Sequence, residues 1–161
     1  MAKLERKALL HYLDASFGGE TPSWFLVGKD IEDMSVELNP DTESKENILG
    51  ETTTTDNGYQ PTMSADPYYA NPEDDIYEKV QDIAMNRKKG DACKTKILEV
   101  IVDDTEDLSH KAWQEDVIVK PQSYGGGTEG INIPFEVSFD GNRKEGTVEI
   151  TGGKPTFTPK V

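Results

Sequence analysis

The sequence predicts a mainly β fold: an antiparallel β-sandwich or partial barrel with one packed α-helix. Three observations carry that expectation. Apolar and polar residues alternate through 31–38, 59–66 and 131–139, the period of a strand with one wet face. The run Lys96 to Val102 is almost wholly apolar, as in a central strand. Helical spacing is clear in one segment, 72–88, where Ile76, Val80, Ile83 and Ala84 share a stripe.

The chain has 161 residues, the size of one domain, so 1–161 is read as a single unit. Apolar residues make up only 34%, which leaves room for long polar connections and for surface completed by other copies. Residues 1–20 are expected to form an N-terminal arm, with a short amphipathic helix or extended segment over 1–14 and a flexible break at Phe17-Gly18-Gly19. Ser23 to Gly28 reads as a buried strand. Between 31 and 38, Met34, Val36 and Leu38 face one way and Asp33, Ser35 and Glu37 the other. Asn39-Pro40 ends that strand.

The stretch 39–57 is polar, with Ile48 and Leu49 as its only apolar anchors, and it is expected to project as a long loop or hairpin. Thr52 to Thr55 suit an extended strand. Asn57-Gly58 is a tight-turn signal. Asn71 is placed as helix N-cap, Pro72 at the first helical position and Gly90 as the stop. Acidic Glu73, Asp74 and Asp75 and basic Arg87, Lys88 and Lys89 match the helix dipole. Further strands are expected at 113–120 and 131–139, where Pro134 marks an edge or bulge. Asp140-Gly141-Asn142 is expected to turn the chain into a last strand, 146–151.

The net charge is −14. That surface repels phosphate and anionic membranes, though a negative channel wall would let DNA slide without sticking. A single cysteine, Cys93, precludes an internal disulfide. The apolar stretch Ala8-Leu9-Leu10 is too short for a signal-peptide core, so the protein is expected in the cytosol of the producing cell.

No catalytic or metal site is expected, and no cofactor. His11, His110 and Cys93 show no metal-ligand spacing and no third group to orient a base and nucleophile. Gly125-Gly126-Gly127 is followed by Thr128-Glu129 instead of the Gly-Lys-Ser/Thr of a phosphate loop. The acidic run Asp103 to Asp107 lacks the order of a calcium loop. Trp24, Tyr68, Tyr69 and Trp113 are sparse enough to be core or interface, but they also support an alternative: a monomeric β-sandwich module binding carbohydrate or a host surface.

The segment Phe25 to Pro40 (FLVGKDIEDMSVELNP) resembles the front of tail tube, or major tail, proteins of phages, prophages and tail-like particles of Gram-positive bacteria. Thr42-Glu43, Ile48-Leu49-Gly50-Glu51, Gly58-Tyr59-Gln60-Pro61, Asp66-Pro67-Tyr68-Tyr69 and Lys94-Thr95-Lys96-Ile97 continue the likeness along nearly the whole chain. The resemblance implies hexameric rings stacked into a hollow tube through which DNA passes transiently. It implies tail terminator, tape measure and baseplate or initiator proteins as partners, and a sheath in contractile tails. Assembly would take place in the host cytoplasm and the mature protein would lie in the virion tail.

Under that resemblance, Asp33, Ser35, Glu37, Gln60, Thr62, Ser64 and Asp66 are lumen candidates. Thr42, Glu43, Lys45, Glu46, Ile48 and Leu49 are candidates for an inter-ring loop. Arg87, Lys88, Lys89, Arg143 and Lys144, basic islands in an acidic chain, are candidates for charge pairing between subunits.

Overall fold

A computed structural model describes residues 3–161; Met1 and Ala2, the start of the expected arm, lie outside the described residues. After a single 3-10 turn at Arg6–Ala8, the chain forms β1 (Leu9–Asp14), β2 (Trp24–Val27), β3 (Val36–Glu37), β4 (Pro40–Glu46), β5 (Thr52–Tyr59) and β6 (Thr62–Ala65). The helix α1 (Tyr77–Asn86) follows, then a 3-10 turn at Gly90–Cys93 and four long or terminal strands: β7 (Lys94–Ile101), β8 (His110–Pro121), β9 (Phe135–Thr151) and β10 (Lys154–Pro159).

Eight of the strands form one antiparallel sheet in the order β2-β1-β7-β8-β9-β6-β3, with β10 also on β9. The sheet curls into a half-barrel with one helix, the mainly β architecture that the alternation predicted. β9 is long enough to serve two neighbours along one side. β6 pairs with its first part at Phe135 to Ser138, and β10 with its last part at Gly146 to Thr151.

Strand alternation splits the apolar residues between two faces. One cluster holds Leu13, Ile97, Val117, Val119, Phe135 and Val137, and Ile76 and Val80 close it from the helical side. A second, smaller cluster is formed by Tyr12, Leu98, Val100, Ala112 and Val148 with Phe157 against them. Gly146 is where β10 comes close: a Cβ there would overlap the Thr158 carbonyl and lie 2.7 Å from the Phe157 ring.

Several local expectations are corrected. Residues 9–14 are no arm but an interior strand, hydrogen-bonded to β2 on one side and β7 on the other. His11 and Leu13 are buried on one face of β1 and Tyr12 on the other, so two-sided burial overrides the helical reading. The helix starts five residues later than Pro72 suggests. Asn71 Oδ1 accepts from the Glu73 amide at 3.0 Å and the Asn71 carbonyl from the Asp74 amide at 2.9 Å, so turns use the donors that would open the helix. It ends at Arg87, left-handed at φ 50°, before Gly90 is reached.

Asn57-Gly58 is not the hairpin turn; it lies inside β5, where Gly58 (φ 90°) sits opposite a register shift between Pro40 and Thr42. Likewise Asp140-Gly141-Asn142 does not reverse the chain. β9 runs straight through it as a bulge opposite Asp116, and the reversal comes at Gly152-Gly153, leading into the unanticipated β10. A bulge and a tight turn both call for positive φ, which Gly58, Gly141 and Asn142 supply equally well to either. The strand expected over 31–38 is reduced to Val36–Glu37. The one expected from 131 begins only at Phe135, with two isolated bridges, from Asn132 to Tyr69 and to Gly125, before it.

Candidate assembly surface

The segment 39–57 lies in a two-stranded hairpin, β4 with β5, that pairs with no other strand among the described residues. Every residue of β4 is exposed, as is all of β5 except the partly covered Gly58. Its turn is built by Asn47, whose Oδ1 accepts the amides of Leu49 (2.9 Å) and Glu51 (3.0 Å), with Gly50 at φ 79°. That turn presents Ile48 and Leu49, 102% and 77% exposed, at the tip. Thr42, Glu43, Lys45 and Glu46 lie along one arm, and Ser44 and Thr54 share a cross-strand hydrogen bond at 3.1 Å.

Five of the seven lumen candidates come together. Register sets Glu37 beside Thr62, Thr62 beside Ser138 and Ser64 beside Glu136. Asp33, Ser35, Glu37, Thr62 and Ser64 then line one shallow depression of about 280 Å³ with Glu136. Glu136 is not among the candidates, yet the alternation at 131–139 sets it on the polar face. Gln60 and Asp66 are exposed but stand apart from the depression. The Gln60 carbonyl accepts from Asn39 Nδ2 at 3.0 Å, and Asp66 is met by Asn132 Nδ2 at 3.5 Å.

The basic candidates divide. Lys88, just past the end of α1, pairs back with Asp82 on that helix, which holds the Asp82 carboxyl below the usual range. Arg143 is also engaged within the chain: its guanidinium reaches Glu99 at 2.6 Å and Glu115 at 2.9 Å and lies 5.8 Å over the Trp113 ring. Arg87, Lys89 and Lys144 remain exposed.

Behind Arg143 lies a buried polar network that sequence spacing could not reveal, because its members come from four strands. His11 Nε2 lies 3.1 Å from Glu99 Oε2, and Glu115 Oε2 accepts the Gly141 amide at 3.0 Å. Burial works against ionisation of Glu99, but hydrogen bonds from His11 and Arg143 outweigh it and its carboxyl titrates below the usual glutamate value. Burial likewise opposes the Arg143 charge, and the two carboxylates more than restore it. The bulge at Gly141 thus points a backbone amide at a buried carboxylate.

The aromatics make no common platform. Tyr68 is core, edge-on to Phe25 and Phe135, with its hydroxyl donating to Asp74 at 3.1 Å. Burial first, then the Asp74 charge, pushes its phenol well above the usual value. Tyr69 donates to Glu129 at 2.6 Å. A cavity of about 520 Å³ does open between Trp24, Phe25 and Tyr69, with Asp30, Asp74 and Asp75 in its wall. Among the described residues there is no group of three or more His, Cys, Asp or Glu side chains that could hold a metal ion, and no helix long and apolar enough to cross a membrane.

No protein-family model matches the chain, and neither does any curated protein. Among solved structures it is similar to the tube-terminating cap of the anti-feeding prophage, at 14% identity over 99% of this chain and 93% of that one, with a TM-score of 0.49. It is also similar to the sheath/tube terminator, in the extended state, of an extracellular contractile injection system, at 10% identity over 90% of this chain and 97% of that one, with a TM-score of 0.47. Likenesses this distant leave the function to be argued from the chain's own surfaces.

Proposed function

We propose that this chain is a structural subunit of a phage-type tail tube, which acts by self-assembly into stacked rings around a conduit for DNA. The observation that carries the reading is the hairpin β4–β5. A two-stranded hairpin is at best marginally stable in water by itself. This one covers none of the core and ends in two exposed aliphatic side chains. Such an element acquires its stability and its purpose from another molecule. The unpaired outer edges of β2 and β3 are further bonding capacity for neighbouring copies. The polar depression at Glu37, Ser64 and Glu136 has the charge that a DNA conduit needs on its wall.

Negative-stain electron microscopy of the purified protein across a concentration series tests this. Hollow tubes or stacked rings of uniform width are expected. A single ring that never stacks would make the chain an end subunit of a tube instead. Monomers at every concentration, including after addition of preformed tail ends, would overturn the reading. They would favour the second one, a monomeric carbohydrate- or surface-binding module, whose support is the aromatic and acidic cavity beside Trp24.

A further inference from the structure

We propose that the hairpin tip of one copy docks in the basic-rimmed apolar cleft beside β2 of another. The proposal rests on the tube-subunit reading for its setting but on the chain's own surface for its geometry. Ile48 and Leu49 need a cover, and their surroundings are acidic. The hairpin, residues 40–59, carries Asp41, Glu43, Glu46, Glu51 and Asp56 against a single lysine, Lys45. Glu46 and Glu51 stand directly at the tip.

A cleft of about 480 Å³ has the complementary character. Leu9, Leu10 and Leu26 form its apolar wall, and Arg6, Lys7 and Lys29 stand around it with Glu32 as the one acid. Arg87, Lys88 and Lys120 also meet at a smaller hollow of about 270 Å³, but Gln122 and Ser123 make its lining more polar, Lys88 there is paired with Asp82, and Lys120 donates to the Lys88 carbonyl. Arg6 is fixed there by donating to the carbonyls of Leu9 (2.8 Å) and Met34 (3.0 Å), while Lys7 is held only by an exposed pair with Glu5. Leu26, 48% exposed, leaves apolar surface for an incoming side chain. The cavity beside Trp24 has the wrong sign for this occupant, since Asp30, Asp74 and Asp75 face it against Lys29 alone. Tip and cleft are different patches of one chain, so the contact is head-to-tail and propagates from copy to copy.

The test uses full-length chains. One carries Ile48→Cys and the other Leu26→Cys; Cys93 is buried in both and is spared. After mixing and mild oxidation, the mixed disulfide should exceed the Ile48→Cys homodimer by about tenfold, a preference worth ~1.4 kcal/mol. Adding Glu46→Lys and Glu51→Lys to the tip chain should cut the mixed product several-fold, and Lys7→Glu with Lys29→Glu in the cleft chain should restore it. Equal yields of mixed and like dimers, or indifference to charge reversal, would overturn the docking. The two readings fail separately. Rings from the unsubstituted chain without a preferred mixed disulfide would end the docking proposal and leave the tube. A preferred mixed disulfide without rings would keep the docking and end the tube.

Discussion

The half-barrel and the hairpin are built from the same kind of strand, yet they differ in what holds them. In β7, β8 and β9, side chains such as Ile97, Val117 and Val137 are fully buried. In β4 and β5 the same backbone pairing carries Thr, Glu and Lys with nothing packed on either face. Hydrogen bonds alone give a strand its shape; burial gives it its stability. The hairpin is therefore an element whose shape is set within the chain and whose stability, on the proposed reading, is left to a partner.

The sharpest way to break this comparison is to substitute one side chain in each region. Phe135→Ala removes a fully buried ring edge-on to Tyr68 and should cost about 3–5 kcal/mol in denaturant unfolding. Gly146→Ala comes next, at about 1–3 kcal/mol, because the added methyl meets the Phe157 ring and the Thr158 carbonyl where β10 closes on β9. Its signature should be early loss of amide protection in 154–159.

Arg143→Leu should cost a similar or smaller amount, about 1–3 kcal/mol, by leaving Glu99 and Glu115 short of a donor. It should also change the pH profile. Because the folded Glu99 carboxyl titrates below the ordinary 4.5, it stabilises the fold above that value and loses its contribution as pH falls through the lowered one. Removing the guanidinium takes away one of the two groups that overcome burial, so the acid flank of stability should move to higher pH. Stability measured at intervals from neutral pH downward would show this; a flank that stays in place would mean His11 alone holds Glu99 ionised.

The smallest effect on the monomer belongs to the tip. Ile48→Ser with Leu49→Ser should alter unfolding free energy by no more than about 0.5 kcal/mol, yet abolish assembly as read by sedimentation. Were the pair to destabilise the monomer by several times that amount, the division between a self-sufficient sheet and a partner-dependent hairpin would be untenable.

Much of this is legible from residue order. The 2-residue period places β6 and the start of β9 on the right faces, and the contiguous apolar run gives β7. The polarity of 39–57, with Ile48 and Leu49 alone among polar neighbours, is enough to expect a projecting element. Five of the seven polar-face candidates meet in one depression because alternation fixes sidedness wherever one face is buried. The failures share a cause. Asn57-Gly58 and Gly141-Asn142 read as turns because their local chemistry is that of a turn, and only the pairing of distant strands makes them bulges. Leu9 to Asp14 reads as an arm because nothing local to it announces that β2 and β7 will cover both its edges.

The sequence by itself determined the class of fold, the acidic surface, the helix stripe and the lone apolar pair on a polar segment, all of which rest on periodicity and charge within a short window. The tertiary structure alone decided which strands are neighbours. With that came the buried His11, Glu99 and Glu115 under the half-exposed Arg143 guanidinium that bridges the two carboxylates, and the gathering of Arg6, Lys7 and Lys29 around an apolar cleft. All of these join residues far apart in the chain, and the free energy that brings them together is the burial of the sheet's apolar face, which no single segment carries.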